Sequence, residues 1–142
     1  MESTNVRWWN VHSAKGTVMT TMEPQSTPGM TYFGYDDLPW EEQTSKSRRK
    51  LIRLEDDLYV ALTQWDAGFT LAGVDHHGGE ELVYVLEGTF VDQNQSSGPG
   101  TVIRGDAGSS HQPSTPDGVT FLAVRTLAQG ERERLAPNWS RP

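Results

Sequence analysis

Three of the chain's four histidines, His76, His77 and His111, fall in two short stretches rich in glycine and acid. The first is Gly73-Val-Asp-His-His-Gly-Gly-Glu-Glu-Leu-Val-Tyr-Val-Leu-Glu-Gly88. The second is Gly100-Thr-Val-Ile-Arg-Gly-Asp-Ala-Gly-Ser-Ser-His111-Gln-Pro113. Asp75, Glu80 and Glu81 lie in the same region. Imidazole and carboxylate are the donors suited to a catalytic divalent ion when no thiolate is available. The chain has no cysteine, which excludes disulfides, thiolate metal sites and cysteine nucleophiles.

The spacing says which of these groups can meet. Residues two apart on a strand share a face, so Asp75 and His77 are expected to project together into the interior. Gly78 and Gly79 then make a turn and Glu81 opens the next strand. Val83 and Val85 follow Glu81 on the inner face and are candidates for contact with a substrate. Leu82 to Leu86 are all apolar, so that strand is expected to be buried on both faces. His111 follows a glycine-rich bend and precedes Pro113, where a strand could return it to the same ion. His77, Glu81 and His111 are therefore candidate donors to one ion, beside Asp75 or His76. Strand parity favours Asp75; His76 takes the place only if a bulge turns it inward. Glu81 is a ligand or a general base, two roles that spacing does not separate. Glu80 and Glu87 are expected to face outward.

Other features are read more plainly. Arg104, a basic residue in a core-strand window, either anchors an anionic substrate or pairs with a nearby acid such as Asp106. Ser109, Ser110 and His111 do not make a hydrolase, because no Gly-x-Ser-x-Gly elbow is present. His12 is assigned no role. The glycines are read as turn residues; no phosphate-cradling loop is seen.

The elements that must position the cluster are short strands. Runs rich in β-branched and aromatic residues occur at Thr31 to Tyr35, Lys50 to Leu54, Leu58 to Trp65, Thr70 to Val74, Leu82 to Val91, Thr101 to Arg104 and Thr120 to Arg125. Turn signals separate them, including Ser96-Ser97-Gly98-Pro99-Gly100 and Pro116-Asp117-Gly118. No window keeps a helical apolar period beyond a turn or two. This pattern predicts an all-β sandwich or closed barrel such as a jelly roll. The expected organisation is an extended N-terminal arm at 1–29, with a strand around Thr17 to Met22, a β-barrel domain at 30–127, and a C-terminal surface tail at 128–142 pinned by Trp139.

With 142 residues, 35% hydrophobic and 22% charged, the chain suits one domain with one core. Its net charge of −7 and the lack of a basic cluster beyond Arg48, Arg49 and Lys50 argue against nucleic acid as a partner. No signal peptide or membrane-spanning run is seen, and a cytoplasmic location is expected.

The two stretches resemble the paired motifs of the cupins. His77 to Glu81, and Glu81 to Gly88, have the spacing of the first motif; Gly100 to His111 resembles the second. Gly-Gly-Glu-Glu, Val-Leu-Glu-Gly-Thr-Phe and Ser-Ser-His-Gln-Pro are most similar to the ChrR-like cupins, a group that includes relatives of the acetylacetone-cleaving dioxygenase. The resemblance extends upstream through Leu38-Pro39-Trp40, Arg49-Lys50-Leu51 and Trp65-Asp66-Ala67-Gly68. It implies a cupin jelly-roll β-barrel (a double-stranded β-helix) holding one divalent metal ion, and a homodimer. Where the family pattern has His, this chain has Asp75. A face of two imidazoles and carboxylate suits Fe2+, with Zn2+, Mn2+ and Ni2+ compatible. The implied function is a metal-dependent enzyme acting on a small organic molecule. Carbon–carbon cleavage of a diketone-like or enolisable compound is the leading form. The alternatives are non-redox chemistry, as in polyketide cyclases, isomerases or lyases, and a non-catalytic binding or regulatory cupin. ChrR-like proteins act as anti-sigma factors through a helical domain with Cys and His zinc ligands. Without cysteine, that activity is not expected here.

Overall fold

Alternating burial along the strands organises the architecture. The computed structural model describes residues 28–136. The strands are β1 (Glu41–Thr44), β2 (Ser47–Glu55), β3 (Leu58–Trp65), β4 (Asp75–His76), β5 (Glu81–Gly88), β6 (Phe90–Val91), β7 (Ser96–Ser97), β8 (Val102–Gly105), β9 (Ser110–His111) and β10 (Val119–Thr126). One short helix, α1 (Glu131–Leu135), follows. Six strands form a sheet in the order β1-β2-β3-β10-β5-β8; β4 pairs with β9 and β6 with β7. Every named pairing is antiparallel. This is an all-β, antiparallel architecture of the jelly-roll kind, as the strand pattern predicts.

β5 and β10 show how the sequence builds it. Val83 and Val85 are 2% and 0% exposed, while Leu82, Tyr84 and Leu86 are 38–43% exposed. The expectation that β5 is buried on both faces is therefore corrected: one face meets the core and the other is an apolar surface. On β10, Val119, Phe121 and Ala123 alternate inward in the same way. Trp65 and Phe121 lie edge to face at 4.8 Å. Phe90 reaches both from the smaller β6–β7 layer, at 5.7 Å from Trp65 and 5.4 Å from Phe121. The three rings are all buried and form part of one apolar core cluster.

The run expected as one strand from Leu82 to Val91 is broken at Gly88. There φ is +75°, and a Cβ would collide with the backbone of Gly118. Only glycine accepts that conformation and that approach without strain. The register with β10 also slips between Thr120 and Phe121. The bend carries the chain out of the large sheet, so that Phe90 pairs with Ser97.

Other expectations are adjusted. Residues 31–34 form no strand; Tyr35–Asp37 is a 3-10 turn in which Asp37 accepts the Gly34 N–H at 2.7 Å. Thr70 to Val74 reduces to a single bridge from Thr70 to Ser114. β1 and the two-residue strand β7 were not expected, because so few residues carry no period; β4 and β9 fall where the parity of Asp75 and His77 and the return of His111 call for extended chain. Arg49 and Lys50 are only 5% and 4% exposed. They are therefore structural cations rather than a surface patch: Arg49 pairs with Glu41 at 2.9 Å and Lys50 donates to the Tyr35 carbonyl at 2.9 Å. The expected strand at Thr17 to Met22, nearly all of the N-terminal arm, and Trp139 lie outside the described residues. Among the described residues no helix is long and apolar enough to cross a membrane.

Truncating Phe90→Ala removes the ring that joins the two layers. It should destabilise the fold by about 3–5 kcal/mol, whereas Glu42→Ala at an exposed position of β1 should stay within about 0.5 kcal/mol. Urea unfolding midpoints check both, and equal shifts would contradict this layering.

Candidate metal centre

Three pairings converge on one point. β4 against β9 sets Asp75 opposite His111 and His76 opposite Ser110. β5 lies between β8 and β10, so Glu81 is flanked by Gly105 on one side and Arg125 on the other. His77, just past β4, is fixed by its backbone: its N–H donates to the Ser109 carbonyl at 3.0 Å and its carbonyl accepts the Gly108 N–H at 2.8 Å. One donor atom from each of Asp75, His77, Glu81 and His111 then lies within 4.8 Å of all the others. His77, Glu81 and His111 are 9%, 8% and 6% exposed.

The distances describe a cage of donors without direct bonds between them. His77 Nε2 is 3.7 Å from Asp75 Oδ2 and 3.6 Å from Glu81 Oε1. His111 Nε2 is 3.8 Å from Glu81 Oε1. The two imidazole rings cross at 82° with centroids 4.8 Å apart. His77 Nε2 is buried and has no hydrogen-bond partner. Buried polar atoms are normally paired, so an orphaned nitrogen facing two carboxylates has the arrangement of a donor to a cation. The donor set of two imidazoles and two carboxylates is of the right chemistry for one divalent ion.

The outward nitrogens are held separately. His77 Nδ1 shares a hydrogen bond with Ser109 Oγ at 3.0 Å, and His111 Nδ1 with Asp92 Oδ2 at 3.2 Å. Burial works against ionisation of Asp92. It is outweighed by the N–H of Asn94, the hydrogen bond with His111 and the N–H of Gln95, which together bring the carboxyl below its ordinary range. Glu81 goes the other way. Burial pushes its carboxyl above the ordinary range and the charge of Asp75 adds to this, while His77, Arg125 and His111 oppose it.

The structure thus brings Asp75, His77, Glu81 and His111 together and leaves His76 out: it is exposed and paired with Ser110, so no bulge turns it inward. Val83 and Val85 extend the inner face from Glu81 into the packed core. Arg104 is not brought to the cluster. It stands beside Leu82 on the outer face, and its Nε meets Asp106 at 3.3 Å. One position too far along β8 reverses the side a residue faces.

Three contributors were missed by sequence reasoning. Asp92 reads as a turn residue and carries no signal of its contact with His111. Arg125 was legible, since it shares the inward parity of Phe121 and Ala123. It stacks on Tyr59 at 4.7 Å and meets Glu131 at 3.5 Å. Gly105 is no turn glycine: a Cβ there would lie 2.6 Å from His77 Nδ1. The imidazole occupies the space a side chain would need.

A family-wide comparison matches residues 28–129 to the ChrR cupin-like domain. No curated protein matches the chain. Among solved structures it is similar to a candidate acetylacetone dioxygenase from Methylibium petroleiphilum PM1, with 16% identity, a TM-score of 0.64, and coverage of 83% of this chain and 99% of that one. The polyketide cyclase RemF from Streptomyces resistomycificus matches at 19% identity and TM-score 0.59, over 75% of this chain and 92% of that one. The complex of SigE with the anti-sigma ChrR from Rhodobacter sphaeroides matches at 22% identity and TM-score 0.54, over 66% of this chain but only 50% of that one.

Two outcomes follow from this geometry. Gly105→Ala should displace the His77 ring and weaken divalent-ion uptake, with circular dichroism unchanged; uptake equal to wild type would contradict the packing. Uptake also requires neutral imidazoles and an ionised Glu81. Because burial raises the Glu81 carboxyl, affinity should fall as pH is lowered, beginning above the range of an exposed glutamate. Titration calorimetry across about pH 5 to 8 checks the sign, and affinity rising towards acid would refute it.

Proposed function

The chain belongs to the ChrR cupin-like family, and on that premise we propose that it is a metal-dependent enzyme acting on a small organic molecule with ligating oxygen atoms. The observation that carries this reading is the buried convergence of Asp75, His77, Glu81 and His111, with the Nε2 of His77 left unpaired. In this reading those four residues hold one divalent ion, Fe2+ by preference, with Zn2+, Mn2+ or Ni2+ compatible. Bound there, the ion would supply Lewis-acid polarisation of a substrate oxygen and, if it is iron, redox chemistry.

The chain's own residues do the rest. Glu81 Oε1 stands between both imidazoles, where it can serve as a ligand or hold a proton taken from an enolisable carbon. Its raised pKa suits the second task. Arg125 keeps a positive charge beside it. Val83 and Val85 continue the same inner face with apolar bulk that excludes water.

Dioxygenase-type cleavage of a diketone-like compound is the leading form, supported by the likeness to the Methylibium protein and by the donor set. The likeness to RemF supports a non-redox cyclase-type reaction as the second form. The exposed row Leu82, Tyr84, Leu86 and Val102 supports a homodimer through the outer face of β5 and β8.

Elemental analysis of protein purified without added metal is the direct test, beside His77→Ala and His111→Ala. Near-stoichiometric metal in the wild type and its loss in both variants is expected. Iron, with oxygen uptake on diketones, supports the dioxygenase form; zinc, nickel or manganese supports the non-redox form. If no metal is present and none is taken up from a divalent panel, the proposal fails.

A further inference from the structure

Asp92 belongs to no proposed ligand set, yet its two carboxylate oxygens have divided tasks. Oδ1 accepts the backbone N–H groups of Asn94 at 2.8 Å and Gln95 at 3.2 Å, closing the turn between β6 and β7. Oδ2 faces His111 Nδ1 at 3.2 Å. The Asp92 side chain is 7% exposed and the His111 side chain 8%, so water does not compete freely for the contact. Phe90 packs its ring 5.9 Å from the imidazole centroid.

An ionised carboxylate only accepts hydrogen bonds. A neutral imidazole facing Oδ2 must therefore carry its proton on Nδ1, which leaves the Nε2 lone pair free. It is Nε2 that looks toward Glu81 and the cluster. We infer that Asp92 is a positioning residue that fixes the tautomer and ring orientation of His111 and so prepares it as a metal donor. His77 has only a hydroxyl, Ser109 Oγ, in the equivalent place. A hydroxyl can donate or accept, so it does not impose a tautomer. His111 is the ligand preset before metal arrives, and His77 is the adaptable one. This rests on the metal-centre reading above, since it assigns a role toward the same ion.

The split between the oxygens makes the inference separable from a structural role. In Asp92→Asn, the amide oxygen must stay on the two backbone N–H groups, because the reverse orientation would set donors against donors. The amide NH2 then faces His111 Nδ1 and donates to it, which moves the imidazole proton to Nε2. The turn survives while the lone pair is turned off.

The test uses metal-free full-length protein at about pH 8, above the ordinary imidazole range. Long-range proton–nitrogen spectra should show His111 as the Nδ1–H tautomer in the wild type and as Nε2–H in Asp92→Asn, with unchanged circular dichroism. Calorimetry with zinc(II) should show affinity lower in the variant by about 10–100-fold. A wild-type His111 in the Nε2–H form overturns the inference, even if the variant fails to fold. So does a folded variant that keeps the Nδ1–H tautomer and wild-type zinc affinity. If the tautomer switches as expected but wild-type protein takes up neither zinc(II) nor iron(II), Asp92 still sets the His111 tautomer, while its role toward a metal is overturned together with the metal-centre reading.

Discussion

A carboxylate cannot be taken out of water between two imidazoles without a compensating charge. Glu81 is in that position, 8% exposed, with the acid of Asp75 nearby. Desolvation of an ionised carboxylate costs several kcal/mol, so the group must hold a proton, find a cation or borrow charge from its surroundings. Much of the fold around it can be understood as meeting that demand. Arg125 supplies one positive charge across the β10 register. The two imidazoles supply more when protonated, and a divalent ion would satisfy all four donors at once.

The backbone is arranged to make this convergence precise enough to be useful. Two-residue strands would be worthless as sheet elements, but β4 and β9 set Asp75 against His111 across a single pair. Gly105 leaves room for the His77 ring where any side chain would intrude. Gly88 lets the chain leave the large sheet, so that Phe90 closes the core from the other layer and also packs beside His111. The same ring is thus part of the core and part of the wall of the site. Packing and chemistry are coupled there, as expected where a site is held by rigid elements and supporting contacts.

Support around the two histidines is unequal. A carboxylate stands behind His111 and a hydroxyl behind His77. Such outer partners orient the ring and tune its basicity. Next to Glu81 on β10, Arg125 also holds Glu131 of α1 and lies over Tyr59, which receives a hydrogen bond from Arg49 at 3.3 Å. The C-terminal helix is thereby tied to the strand that faces Glu81. Burial would weaken the charge on Arg49, but Tyr59 and Glu41 more than restore it.

Much of this was legible in the chain itself. Alternation and turn residues announce an all-β fold, and β3 was found with both its ends, because eight residues of regular pattern carry a clear period. Parity on a strand assigns Asp75 and His77 to one side and His76 to the other, since the side-chain period of two is set by covalent geometry; Glu81, beyond the Gly78-Gly79 turn, joins them through the motif spacing. What parity cannot say is which distant partner arrives. Asp92 is 19 residues from His111, and Ser109 is 32 from His77. Those meetings depend on strand register and on the Gly88 corner. Whether an apolar face is covered is likewise decided in three dimensions: Leu82, Tyr84 and Leu86 have the composition of a buried row and are exposed, because no layer among the described residues packs over them. Local chemistry therefore named the donors and their side of the sheet. The tertiary structure alone decided how closely they meet, which atoms stand behind them and that Arg104 faces away, because each of these depends on register between strands far apart in sequence.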